Sequence, residues 1–257
     1  MNRIEELFKD KSQRVLNVYF TAGYPKLGDT TTIMEQLEKS GADLIEVGIP
    51  FSDPIADGPT IQESNGVALG NGMTLKLLLE QLKGIREKVS IPIILMGYIN
   101  PIVQYGIEKF CKDCQAIGVD GLILPDLPMF EYLEVHKPLF DQHGLLNIFL
   151  ITPQTSESRI REIDENSSGF IYMVSSASTT GAKAQVSDDQ EAYFARIKAM
   201  NLKNPTLIGF GISNKDTFNK ASANANGAII GSAFIKAISR EGNLNDNIDR
   251  FVKSVIS

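Results

Sequence analysis

A segment that begins at Glu46 carries the residues best suited to acid–base chemistry. It reads EVGIPFSDPIADGPTIQ over residues 46–62 and follows the apolar pair Leu44-Ile45. Prolines and glycines recur through it, so neither a helix nor the preceding strand can continue across it. Glu46 is therefore predicted to end a buried strand, with Asp57 on the loop that leaves it. A carboxylate on an apolar strand is costly unless it is paired or faces a pocket, so Glu46 is either a catalytic acid or a partner in a structural ion pair.

Eight short apolar segments that can position these carboxylates alternate with helical segments along the chain. The predicted strands are residues 15–20, 43–47, 91–96, 121–124, 147–151, 170–174, 206–209 and 227–230. The main predicted helices are residues 31–39, 60–69, 75–88, 107–117, 130–142, 156–166 and 232–238, with others starting near 188 and 214. Strands that are apolar on both faces are typical of a parallel sheet covered on both sides.

Eight βα units in a chain of 257 residues predict one α/β domain, a (β/α)8 TIM barrel spanning residues 1–257. It has a short N-terminal helix and extended loops after the second and sixth strands. A doubly wound open sheet is the alternative, and the absence of Gly-x-Gly-x-x-Gly after the first strand weakens it.

Composition excludes several classes of partner. The net charge is -6 and no cluster of Lys and Arg stands out, which argues against nucleic acid or an anionic membrane as the main partner. No apolar stretch approaches the roughly 20 residues of a transmembrane helix. The N-terminal segment lacks the apolar core of a signal peptide. We therefore expect a cytoplasmic protein.

The two cysteines, Cys111 and Cys114, invite a redox or zinc interpretation because they form a Cys-x-x-Cys pair. They fall within a predicted helix, and the two histidines, His136 and His143, lie on a later segment. A zinc site needs about four ligands, so the simpler interpretation is a pair of cysteines on a helix. No metal site is predicted.

In a barrel of this type, chemistry gathers at the C-terminal ends of the strands and on the loops that follow. Besides Glu46 and Asp57, the polar and aromatic residues predicted there are Tyr19, Thr21, Tyr98, Asn100, Asp126 and Tyr172. Two carboxylates among several aromatics indicate acid–base work on a flat apolar substrate. Packing alone accounts equally well for any single tyrosine.

Small residues follow the last three predicted strands. They are Thr179-Thr180-Gly181, Gly209 to Ser213, and Gly231-Ser232, the last directly before a helix. Exposed backbone N–H groups, hydroxyls and a helix N-terminus can hold a phosphate without a basic side chain. Any one such pair is weak evidence, but three around the seventh and eighth units favour a phosphate site.

The chain resembles one family closely, the α subunit of tryptophan synthase. The resemblance covers nearly the whole chain and rests on residues 46–62, LMGYINP over 95–101, PDLP over 125–128, GFGIS over 209–213, and Gly231-Ser232, all in the family's order. It implies a barrel enzyme that splits indole-3-glycerol phosphate into indole and glyceraldehyde 3-phosphate by a retro-aldol reaction, without a metal or organic cofactor.

The resemblance also implies roles by position. Glu46 matches the general acid–base, Asp57 the carboxylate that accepts the indole N–H, and Tyr172 the tyrosine beside the catalytic acid. The positions that line the indole pocket are Tyr19, Tyr98, Ile123, Tyr172, Phe210 and Ile229. The positions of the phosphate cradle are Thr180, Gly181, Gly211, Gly231 and Ser232.

One departure from the family falls after the sixth strand. Many members read Ser-Arg-x-Gly-Val-Thr-Gly there, whereas this chain reads SSASTTG over residues 175–181, with Ser176 in place of the Arg and Ser178 in place of a Gly. Thr180 and Gly181 match. In the family this loop covers the site, so we expect it to close here without an arginine contact.

The resemblance implies a partner as well. It is a β subunit that uses pyridoxal phosphate (PLP) to join indole and serine in an α2β2 assembly, with indole passed between the sites. The loop with Pro50, Pro54 and Pro59 and the helix beyond it are expected to contribute to that contact.

Three other functions stay open on the sequence. A phosphate-binding isomerase or indole-glycerol-phosphate synthase usually needs a lysine or a cysteine–aspartate pair at strand ends, which the predicted strands lack. A non-catalytic activator of the β subunit is disfavoured because Glu46 and Asp57 are both present. A free-standing indole-glycerol-phosphate lyase would carry the same residues.

Overall fold

One parallel sheet organises the computed structural model, which describes residues 1–54, 57–174, 188–209 and 211–257. Its strands are β1 Val15–Thr21, β2 Leu44–Gly48, β3 Ile93–Met96, β4 Gly121–Ile123, β5 Leu146–Ile148, β6 Leu150–Ile151, β7 Ile171–Val174, β8 Thr206–Gly209 and β9 Gly227–Ile230. Their order in the sheet is β5-β4-β3-β2-β1-β9-β8-β7-β6.

The two ends of this sheet belong to one chain segment. Strands β5 and β6 are separated by Phe149 alone; β5 pairs with β4, and β6 pairs with β7. The sheet therefore closes on itself with eight strand positions, which confirms the predicted barrel. The predicted fifth strand, residues 147–151, is corrected to two short strands that begin one residue earlier. This interruption lets one segment pair with a different neighbour in each half.

Helices cover the outside of the sheet. They are α1 Arg3–Asp10, α2 Thr30–Ser40, α3 Pro59–Gly70, α4 Leu75–Gln81, α5 Ile99–Tyr105, α6 Ile107–Ile117, α7 Met129–Glu131, α8 Lys137–Gln142, α9 Glu157–Asn166, α10 Asp188–Ala199, α11 Lys215–Asn224, α12 Ser232–Ile238 and α13 Leu244–Ile256. A 3-10 turn spans Ile85–Glu87, and a π-helical turn, Tyr132–His136, joins α7 to α8. Within the described ranges no helix is long and apolar enough to cross a membrane.

Two helical predictions need correction. The helix predicted over residues 75–88 ends at Gln81, because Gly84 takes a left-handed φ of 76° that interrupts the helix before the 3-10 turn. The helix predicted over residues 130–142 is divided by the π turn. Helices α5 and α13 were not predicted. The extended loop predicted after the sixth strand falls on residues 175–187, outside the described residues.

Alternating side chains divide the core into two clusters. On β1, Leu16, Val18 and Phe20 pack toward the helices, whereas Val15 and Tyr19 point into the barrel with Asn17 between them. The inner cluster consists of Ile4, Val15, Leu44, Ile94, Ile123, Ile148, Phe170, Tyr172, Leu207 and Ile229. The barrel interior is thus filled with side chains and open to chemistry only where the strands end.

Helix α1 closes the barrel at the N-terminal ends of the strands. Asn2 caps it in a reciprocal box with Glu5, and Ile4 is fully buried in the inner cluster. Asp120, 2% exposed, receives Arg3 at 2.9 Å and also pairs with Arg86. This buried carboxylate is therefore satisfied by two cations, as a charge at such depth requires.

Candidate active site

Glu46 lies at the centre of the candidate site. It is the third residue of β2, is 1% exposed, and stands in register between Tyr19 of β1 and Ile94 of β3. Because Ile45 and Val47 face the helices, its carboxyl points into the barrel. The predicted position near the end of a buried strand is confirmed, and the strand continues through Gly48.

Burial controls the ionisation of Glu46. Loss of hydration raises its pKa to about 8, and the nearby carboxyl of Asp57 adds to the rise. A hydrogen bond from Asn17 Nδ2 to Oε2 at 2.8 Å acts in the opposite direction by favouring the charged form. The carboxyl therefore retains its proton at neutral pH, which suits a general acid.

Asp57 occupies the loop between β2 and α3, and it is 7% exposed. Burial raises its pKa to about 6, while a hydrogen bond with the Asn65 side chain lowers it. The Gln62 amide donates to the Asp57 backbone carbonyl at 2.8 Å. Both contacts come from α3, which is tied to β1 by a 2.7 Å hydrogen bond between Ser64 and Thr21. Asp57 is thus ionised at neutral pH beside a protonated Glu46.

Two tyrosines complete this acidic cluster. Tyr19 and Tyr172 are each 6% exposed, and burial raises the pKa of both hydroxyls well above the usual value. Negative charge on Glu46 or Asp57 raises the pKa of each hydroxyl further. The four groups predicted to meet at one barrel mouth are therefore brought together, with both phenols neutral.

Glycines make room for the two phenols. A Cβ on Gly48 would lie 2.2 Å from the Tyr19 hydroxyl oxygen, and one on Gly209 would lie 2.3 Å from that of Tyr172. Neither position can hold a side chain unless the ring moves. The glycines that end β2 and β8 thus leave the space inside the barrel that the two hydroxyls occupy.

The other predicted pocket residues surround this cluster. Ile123 and Ile229 belong to the inner core and are almost fully buried. Tyr98 precedes α5 and stacks on Phe51 at 4.8 Å between ring centroids, which joins the loop after β2 to the end of β3. Tyr98 also contributes to the raised pKa of Tyr19, as expected for a neighbour at the same mouth. Phe210 lies outside the described residues.

The predicted phosphate cradle is described in part. Gly211 has a left-handed φ of 76° and follows β8, while Gly231 follows β9, its neighbour in the sheet. Gly231 caps α12, whose first residue is Ser232, and no side chain caps the free N–H groups there. A Cβ on Gly231 would lie 3.3 Å from the Tyr19 ring, so this helix start borders the acidic cluster. Thr180 and Gly181 lie outside the described residues.

Several contacts within the candidate site were not predicted from the sequence. Asn17 and Asn65 hydrogen-bond the two carboxylates, and Phe51 stacks on Tyr98. The one signal for Asn17 is a polar residue within an otherwise apolar strand. Asp126, predicted at the mouth, is exposed and accepts the Ile99 backbone N–H, so it holds the start of α5.

The cysteines and histidines lie away from this cluster. Cys111 and Cys114 are buried on α6, as predicted, and burial raises the pKa of both thiols. His143 bonds Gln115 at 2.8 Å, and His136 stacks on Phe140. Among the described residues, no group of three His, Cys, Asp or Glu side chains could hold a metal ion.

Fold and site together define a (β/α)8 barrel protein equipped for acid–base chemistry at its mouth. Residues 6–255 match the family model described as "Tryptophan synthase alpha chain". The tryptophan synthase alpha chains of Flavobacterium psychrophilum and Flavobacterium johnsoniae are 59% and 58% identical, over 99% of this chain and the whole of each relative. The chain belongs to the tryptophan synthase alpha chain family.

Solved structures agree with this assignment. The alpha subunit from Legionella pneumophila matches with a TM-score of 0.88 at 34% identity, covering 99% of this chain and 97% of that one. Tryptophan synthase from Mycobacterium tuberculosis in an aminoacrylate-bound form matches with a TM-score of 0.86 at 29% identity, covering 99% and 98%.

Proposed function

We propose that the chain is a carbon–carbon lyase that cleaves indole-3-glycerol phosphate to indole and glyceraldehyde 3-phosphate in tryptophan biosynthesis. The observation that carries this proposal is a pair of buried carboxyl groups at the barrel mouth, Glu46 at 1% and Asp57 at 7% exposure. Burial raises the pKa of Glu46 to about 8 and that of Asp57 to about 6, so the first is an acid and the second a carboxylate at neutral pH. Family membership supports the same reaction.

Glu46 supplies the proton in this reaction. Its carboxyl protonates the indole ring carbon that carries the glycerol chain, which turns the ring into a cationic indolenine. The carbon–carbon bond then breaks, its electron pair returns to the ring, and the adjacent hydroxyl becomes the aldehyde. The hydroxyl proton passes to the Glu46 carboxylate, so the acid is restored at the end of the cycle.

Asp57 stabilises the charge that develops on the ring. Its carboxylate accepts the indole N–H and faces the cationic intermediate, an attraction that is strong in a water-poor cleft. Asn65 and Gln62 hold this carboxylate and its backbone in place. A group that must be charged thus lies next to one that must be neutral, and their different burial sets the two states.

The other residues predicted for the site bind the substrate. Tyr19, Tyr98, Ile123, Tyr172, Phe210 and Ile229 provide flat apolar surface for the indole ring. Thr180, Gly181, Gly211, Gly231 and Ser232 provide backbone N–H groups and hydroxyls for the phosphate. No metal or organic cofactor is required for these steps, and dialysis against a chelator should leave the rate unchanged.

Exposed apolar side chains on one part of the barrel offer a surface for a protein partner. Large apolar side chains are exposed on three consecutive βα units: Val67 and Leu69 on α3, Val103 on α5, and Phe130 and Val135 around α7. Their recurrence on the elements that follow β2, β3 and β4 supports a protein contact in this part of the barrel. We propose that a PLP-dependent β subunit docks here in an α2β2 assembly in the cytoplasm and receives indole directly.

The test is indole release from indole-3-glycerol phosphate by the wild-type chain, Glu46→Gln and Glu165→Gln, each with and without a β subunit. Glu165 is an exposed carboxylate on α9, outside the proposed partner contact, and serves as the matched control. Indole should appear with wild type and the control and vanish with Glu46→Gln. Release that needs no partner would favour a free-standing lyase, and none even with a partner would favour a pure activator.

A further inference from the structure

Asn17 is a polar side chain in an apolar part of the barrel. It is 0% exposed, and its register partners are Leu44 on β2 and Ile229 on β9. The residue two positions before it, Val15, and both partners belong to the inner apolar cluster. A Leu or Val would satisfy the same packing.

An amide in this position has one evident compensation. Transfer of an amide from water into an apolar interior is unfavourable unless its polar atoms are hydrogen-bonded. Within the described residues, Asn17 Nδ2 donates to Glu46 Oε2 at 2.8 Å, whereas Oδ1 has no partner. The contact with Glu46 therefore accounts for the presence of an amide at this site.

We propose that Asn17 is a positioning residue that holds Oε2 of Glu46, so that Oε1 carries the proton delivered to the substrate. An oxygen that accepts an N–H cannot also carry a proton along the same direction. In the neutral acid, Oε2 is then the carbonyl oxygen and Oε1 the hydroxyl. The catalytic part of this inference rests on the proposed lyase function, whereas the contact itself does not.

Among the groups that shift the pKa of Glu46, Asn17 is the one that acts through a hydrogen bond. Asp57, on the loop before α3, opposes ionisation of Glu46, and the phenols of Tyr19 on β1 and Tyr172 on β7 interact with its charge. The Tyr19 hydroxyl lies 3.5 Å from Thr21 Oγ1 on its own strand. Asn17 opposes burial and Asp57 because it favours the carboxylate, so its removal should make Glu46 harder to ionise.

The perturbation is Asn17→Leu, with Asn147→Leu as the matched control. Asn147 is also a strand residue, is 1% exposed and has an Oδ1 without a partner among the described residues. Its neighbours on β5, Leu146 and Ile148, face into the barrel, so the Asn147 side chain faces the helices, away from Glu46. Asn17→Ala, which removes the amide without adding volume, is the second variant if Asn17→Leu does not fold.

Two readouts separate positioning from general damage. The first is the titration of the Glu46 carboxyl carbon by NMR in 13C-glutamate-labelled protein, assigned with Glu46→Gln. The second is the pH dependence of kcat and KM for indole release. In Asn17→Leu the titration midpoint and the basic limb should move up by roughly one pH unit, and kcat should fall about tenfold to a hundredfold with KM changed less than about threefold. Asn147→Leu should change neither midpoint nor limb.

An unchanged Glu46 midpoint in Asn17→Leu and Asn17→Ala would overturn the proposal. A midpoint that moves down would overturn it too, because the amide would then accept the proton of the neutral acid. If the midpoint moves up in Asn17→Leu but the wild-type chain releases no indole, the contact is supported and the lyase function fails. The NMR titration thus distinguishes the two failures.

Discussion

Replacing Glu46 by Gln should stabilise the folded chain, increasingly so as the pH rises. Gln resembles the protonated carboxyl in size, carries no charge and can still accept the Asn17 amide. In the wild-type chain the unfolded state ionises Glu46 above about pH 4.5, its ordinary value, while the folded state keeps the proton to about pH 8. A group whose pKa is raised on folding contributes stability that is lost as the pH rises through this window.

The size of the effect follows from the same two values. Each pH unit within the window removes about 1.4 kcal/mol from the free energy of unfolding of the wild type. The advantage of Glu46→Gln should therefore be under about 1 kcal/mol at about pH 5, on the order of 3 kcal/mol at about pH 7, and level off above about pH 8. Because Glu46 is almost fully buried, solvent screening weakens this effect little.

The measurement is urea unfolding of wild type, Glu46→Gln and Glu165→Gln at several pH values, followed by circular dichroism. The exposed Glu165→Gln control should unfold at the same urea concentration as the wild type at every pH. A constant difference between Glu46→Gln and wild type from pH 5 to 8 would refute the reasoning, since it would mean that the buried carboxyl titrates alike in both states. Loss of indole release in the same stabilised variant would link the cost in stability to the chemistry.

Three further perturbations test other parts of the site and fold. Asp57→Asn should lower kcat for indole release about 100-fold to 1000-fold, and wild-type activity should fall as the pH drops through about 6, where Asp57 gains its proton. Gly48→Ala should displace the Tyr19 hydroxyl, which a Cβ would approach to 2.2 Å, and lower both kcat and the free energy of unfolding, the latter by about 1–3 kcal/mol. Asp120→Asn should leave Arg86 without its buried partner and destabilise the fold by about 3 kcal/mol in urea, with kcat of the folded protein unchanged.

Most of the barrel could be predicted because each strand carries its own local signal. The predicted strands agree with the structure within about two residues, since continuous apolar runs next to glycine are distinctive of buried parallel strands. Helix α5 was missed because Pro101 reads as a breaker, although proline is tolerated in a first helical turn. Helix α13 carried a readable pattern, with Ile248, Val252 and Val255 at helical spacing and all buried.

The site was predictable only where a long motif carries it. Glu46 and Asp57 lie in such a motif, whereas Asn17 is a single polar residue in a predicted strand and belongs to no motif. Whether Asn17 faces the helices or the barrel interior depends on the register between β1 and β2, and a shift of one residue would reverse it. Register depends on how two strands pair, so the contact between Asn17 and Glu46 could not be predicted from the sequence of β1 or of β2 alone.

The buried acids at the two ends of the barrel have different partners. At the N-terminal end, Asp120 forms ion pairs with Arg3 and Arg86 and accepts the Ile93 backbone N–H, and these contacts tie α1 and the 3-10 turn to the sheet. At the mouth, Glu46 has no cation among the groups that shift its pKa, so burial keeps it neutral. A cation placed beside Glu46 would remove its stability penalty and also hold it ionised at neutral pH, which would abolish its use as an acid. Under the proposed lyase function, the loss of stability at Glu46 is therefore a consequence of keeping the acid protonated at neutral pH.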